Sequence, residues 1–163
     1  MPAKVKVVPP APASLDTLYE TWRAVALVPE PEESCCARLV AKAGVPAQDE
    51  AKEWLTFQKG LGLVAESQRG FHRLRESDPA EVDLQTRFRE GVYGAEELLG
   101  HLGTAPLDAE GAFDRFEDRV PNWERHQNAD WRTVWRERVE RLLDWAVLFG
   151  LAERTPDGYV ARD

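Results

Sequence analysis

"LLDWAVLFGLAERTPDGYV", Leu142–Val160, repeats the plan of "WLTFQKGLGLVAESQRGFH", Trp54–His72, without a gap at an offset of 88 residues. Leu55 falls on Leu143, Phe57 on Trp145, Gly62-Leu63 on Gly150-Leu151 and Gly70-Phe71 on Gly158-Tyr159. Each position has a physical role. Leu, an aromatic two residues later and an apolar residue four further on share one helical face. Gly-Leu stops the helix, because Gly accepts the left-handed conformation that ends helices. "LVAE" and "LAER" read as short strands, "SQRG" and "TPDG" as tight turns, and "FHRL" and "YVAR" as returning strands. The repeated unit is therefore a helix followed by a β-hairpin.

Working outward, each copy is preceded by further helices. "SLDTLYETWRAV" places Leu15, Leu18 and Trp22 on one face. "EPEESCCARLVAKAG" has acids in its first turn and Lys42 and Gly44 at its end. "VPAQDEAKEWLTFQKGLG" opens at Pro46, with Ala47, Ala51, Trp54, Leu55 and Leu61 facing inward. In the second half "DLQTRFREGVYGAEELLGHLG" reads as one helix weakened by Gly91 and Gly94. "DAEGAFDRFEDRV" has the stripe Ala112, Phe113, Phe116 and Val120. "PNWERHQNA" reads as a loop, and "DWRTVWRERVERLLDWAVLFG" is the longest helix, capped by Asp130. The expected organisation is a disordered or extended arm at 1–13, a domain at 14–76, a polar linker at 77–84 containing Pro79, and a second domain at 85–163 with the long last helix. The fold class is mainly α with small β-hairpins (α+β).

With helices, Gly-Leu stop and hairpin in this order, "KGLGLVAESQRGF" and "LFGLAERTPDGYV" resemble the end of the third helix and the wing of winged helix-turn-helix domains. The resemblance covers most of both halves and implies two tandem winged-helix-like domains. The second half departs from the pattern through residues 121–129 and its long helix.

Composition bounds the function. The net charge is −8, with 29 acidic against 21 basic residues. Arg and Ala richness with little Lys suggests a high-GC genome, and an acid-biased surface also suits a halophile. No apolar run approaches the ~20 residues that span a bilayer, and "KVKVV" near the start is too short for a signal peptide, so a cytoplasmic protein is expected. Cys35 and Cys36 are adjacent, a strained geometry for a disulfide, and read as buried helix thiols. The three histidines lie in no metal-ligand pattern, no glycine-rich loop is followed by GK[ST], and nothing marks a nucleophile. The expectation is a non-catalytic protein without metal or cofactor.

The winged-helix resemblance implies double-stranded DNA as a partner and transcription regulation as a role, with the third helix in the major groove and the wing on the backbone. Carried onto this chain, it exposes Gln48, Lys52, Thr56 and Lys59 on the first third helix, and puts Arg69, His72 and Arg73 at its wing. Arg132, Arg136 and Arg141 point outward on the second. Charge works against this: residues 14–76 have 8 basic and 10 acidic groups, and residues 85–163 have 11 and 16. Phosphate neutralisation supplies most non-specific affinity, so such a protein must focus its basic groups or act as a homodimer. The alternative implied by the resemblance is a protein-interaction scaffold, such as an accessory subunit of a chromosome-organising complex. Trp123, in its polar segment, is expected to anchor the segment on the core or to form a contact. Arg138 falls on the apolar side of the long helix and is expected to be partly buried, paired with a carboxylate of the other half or of a second subunit.

Overall fold

The computed structural model describes residues 4–162. Residues 1–3 of the expected arm, and Asp163, lie outside the described residues. The chain divides into two compact units, the first ending at Tyr93 and the second beginning at Gly94.

In the first unit, helix α1 (Asp16–Ala24), α2 (Glu32–Ala43) and α3 (Gln48–Gly60) lead into a hairpin of β1 (Val64–Ser67) and β2 (Gly70–Arg73), followed by α4 (Leu84–Gly91). Leu18, Cys35, Leu39, Ala51, Leu55, Phe57 and Leu63 are fully buried. They recur at helical spacing, so three helices present one apolar stripe each to a common core. Trp22 adds a directional tie, its Nε1 donating to the Leu63 carbonyl at 3.0 Å. Beside it, the buried Gln58 Nε2 donates to Thr21 Oγ1 at 2.7 Å, and Thr21 Oγ1 donates to the Leu18 carbonyl.

The second unit runs α5 (Ala95–His101), α6 (Ala109–Phe116), a single 3₁₀ turn (Glu117–Arg119), α7 (Asn122–Gln127), α8 (Trp131–Leu148), β3 (Ala152–Thr155) and β4 (Gly158–Ala161). Its core is built from Leu98, Phe113, Phe116, Trp135, Val139, Leu143 and Trp145. The Phe116 and Trp135 rings stack with centroids 5.9 Å apart. Burying each such large side chain contributes roughly 1.5–3 kcal/mol.

The 88-residue echo is reproduced bond for bond. Leu63 N–H reaches the Gln58 carbonyl at 2.9 Å and Gly62 N–H the Lys59 carbonyl at 3.0 Å. Leu151 to Ala146 at 2.8 Å and Gly150 to Val147 at 3.1 Å repeat them. This is a helix stop with Gly62 and Gly150 left-handed, at φ 71 and 77. Both hairpins are antiparallel with two-residue turns, Ser67 opposite Gly70 and Thr155 opposite Gly158. A third segment bridges each hairpin. Glu30 and Phe71 exchange both backbone bonds, as do Leu107 and Tyr159. Gly70 and Gly158 are therefore doubly required. Each has a positive φ, and a Cβ would meet the Glu30 carbonyl oxygen at 1.8 Å or Leu107 backbone at 2.6 Å.

Several local expectations are corrected. The single helix expected over Asp83–Gly103 is two, because the N-terminal arm intervenes. Val5 N–H donates to the Gly91 carbonyl at 3.0 Å and Tyr93 N–H to the Val5 carbonyl at 2.7 Å, and Val92 becomes extended. Helix α4, expected at the head of the second domain, is part of the first unit. The segment "PNWERHQNA" is helical at Asn122–Gln127. Asp130 stands at the start of α8, but its side chain makes no capping bond. Instead its own N–H donates to Asn128 Oδ1. Ala47 precedes α3 and is exposed.

Candidate nucleic-acid interface

Helix α3 carries Gln48, Lys52, Thr56 and Lys59 at spacings that keep them on one side. Gln48 and the two lysines are exposed and Thr56 is half-buried. Neither lysine stands alone: Lys52 Nζ lies 4.0 Å from a Glu32 carboxylate oxygen on α2, and Lys59 Nζ 2.7 Å from Glu66 on β1. The Thr56 hydroxyl is turned back onto its own helix, donating to the Lys52 carbonyl at 3.0 Å.

The first wing differs. Arg69 is exposed in the turn and makes no ion pair among the described residues. Arg73 lies with its guanidinium 5.0 Å from the Trp22 ring centre, and its Nη1 donates to the Arg23 carbonyl at 3.4 Å. It too has no carboxylate partner among the described residues. His72 is half-buried. Two cations that the sequence reading passed over belong here. Arg23 at the end of α1 and Arg75 just beyond β2 are exposed and without an ion pair among the described residues. The signal was present in "FHRLR", where arginines alternate with no acid until Glu76.

In the second unit the outward-pointing arginines of the sequence reading are tied to carboxylates. Arg132 pairs with Glu117, and Arg136 Nε lies 2.9 Å from Glu110 on α6, over the Phe113 ring. Arg141 pairs with Glu137 one turn earlier at 2.8 Å. The second wing is held down by its own network. Tyr159 Oη donates to Asp144 Oδ1 at 2.6 Å, and Arg154 approaches the same carboxylate at 3.6 Å. Burial, reinforced by that carboxylate, raises the Tyr159 phenol well above its ordinary value. Asp157 occupies the turn.

Arg138 is partly buried and paired, as its periodicity implies, but its partner is Glu124 of α7, in the same unit, at 3.4 Å. Its guanidinium also lies 4.8 Å from the Trp135 ring centre. Trp123, on α7, is 54% exposed. Cys35 and Cys36 are buried free thiols, and burial raises the pKa of both. Among the described residues no three His, Cys, Asp or Glu are grouped to hold a metal ion, and no helix is long and apolar enough to cross a membrane.

Two units, each of four α-helices and a bridged hairpin, follow one another in the chain and define a double winged-helix protein. Over residues 3–163 the chain matches the family model described as the halobacterial double winged helix domain, and it belongs to that family. No curated protein and no solved structure matches it.

Proposed function

We propose that the protein is a non-catalytic DNA-binding regulator in which the first unit alone faces DNA. The observation that carries this reading is the contrast in pairing between the arginines around the first wing and those on the outer face of α8. Arg23, Arg69, Arg73 and Arg75 have no carboxylate partner among the described residues. Arg132, Arg136 and Arg141 are each neutralised by a glutamate. Cations without a local anion are those that release counterions when a phosphate approaches. In this reading Arg69, Arg73 and Arg75 take the backbone, and Gln48, Lys52, Thr56 and Lys59 face the groove. Exposed pairs such as Lys52–Glu32 are worth at most about 1 kcal/mol, so a phosphate can replace the glutamate. The family's halobacterial description accords with the acidic remainder of the surface.

The test is binding of the full chain to mixed-sequence duplex DNA as salt is varied. Binding at low salt should weaken steeply as salt rises. Arg69→Ala and Arg75→Ala should each lower the slope of log K against log salt by about 0.9, and Arg136→Ala should leave it unchanged. Absence of binding at about 50 mM salt refutes the reading. A second reading, a protein-interaction scaffold, is favoured by one observation: both α3 lysines are already engaged with Glu32 and Glu66.

A further inference from the structure

The two units diverge most between their second and third helices. In the first unit residues 44–47 suffice to join α2 to α3; in the second, residues 117–130 separate α6 from α8 and include α7. That insertion carries the exposed Trp123. The indole borders a cavity of about 340 Å³ between α7 and α8, lined also by Trp131, Val134, Trp135 and the Glu124–Arg138 pair. The cavity wall is held by the chain's own cations, since Arg125 and Arg132 lie 4.6 and 4.8 Å from the Trp131 ring centre.

We propose that the α7–α8 hairpin is the surface on which a second copy of this chain docks, each Trp123 entering the other copy's cavity. Charge favours this occupant. Residues 117–141 contain six acids and six bases, so the whole net charge of −8 lies elsewhere on the chain. Two copies repel one another over the acidic remainder and meet without net repulsion only on a balanced patch. A two-fold contact must also complement itself. A surface of alternating arginine and glutamate does so, and so does an indole placed beside a cavity. A nucleic acid gains little from a patch without net positive charge.

This inference is independent of the DNA reading, and its test contains no DNA. Sedimentation equilibrium of the full chain, at roughly 1–100 µM, should show twice the monomer mass. Trp123→Ala should weaken self-association about 30-fold or more, as loss of a central aromatic anchor does. Circular dichroism establishes that the variant is folded. Gln127→Glu, an exposed change at the cavity rim, gives a second reading that leaves the core untouched. It adds a negative charge to the docking face of each copy and should also weaken the dimer. A monomer at every concentration overturns the proposal. So does a dimer that both substitutions leave unchanged.

Discussion

Replacing Arg138 by Ala tests how the second unit holds its insertion. The arginine side chain is 23% exposed and its partner Glu124 16%, so the pair is neither a surface pair nor a dry one. Exposed pairs contribute up to about 1 kcal/mol, and removing one partner of a buried pair costs about 3–5 kcal/mol. At 3.4 Å and with partial water access, the pair falls between these limits, at about 1–2 kcal/mol. Stacking on Trp135 adds about 0.5–1 kcal/mol. The expected loss is therefore about 1.5–3 kcal/mol, read as a shift of the denaturant midpoint at unchanged slope. A double-mutant cycle with Glu124→Gln isolates the pair and should show about 1 kcal/mol of coupling. If Arg138→Ala costs less than about 0.5 kcal/mol with no coupling, α7 is not held to α8 by this pair and the reasoning fails.

Two further outcomes follow from the packing. Gly158→Ala forces a Cβ into Leu107 backbone at a positive φ, and should destabilise the second unit by about 2 kcal/mol or more in thermal melts; Gly158→Ala without a melting shift would contradict the bridged hairpin. The buried thiols of Cys35 and Cys36, with pKa raised by burial, should resist a thiol reagent at neutral pH in the folded protein and react after denaturation; rapid reaction of the native chain would show that α2 is not packed as described.

Most of the fold was legible from sequence, because its signals are local. A Gly-Leu stop, a two-residue turn closed by Gly70 or Gly158, and a stripe such as Trp135, Val139, Leu142 and Ala146 each operate within a few residues. Local conformational preference and helical spacing decide them. Asp130 and Ala47 show the limit of that locality: each sits at a helix start, yet whether it caps or packs depends on its neighbours. The α4–α5 break lies beyond it altogether, because the competing hydrogen bonds come from Val5.

What the sequence determined by itself was therefore the duplicated helix-and-hairpin plan and the acidic balance of the chain. What only the tertiary structure decided was the state of its cations and of Trp123. Lys52 meets Glu32 and Arg136 meets Glu110 across separate helices, so a residue count that tallies charges cannot tell an engaged cation from one that is not. Arg69 and Arg136 are the same side chain in sequence. They differ because folding brings a carboxylate to Arg136 and none to Arg69 among the described residues, and an ion pair depends on distance in space, which chain position does not record.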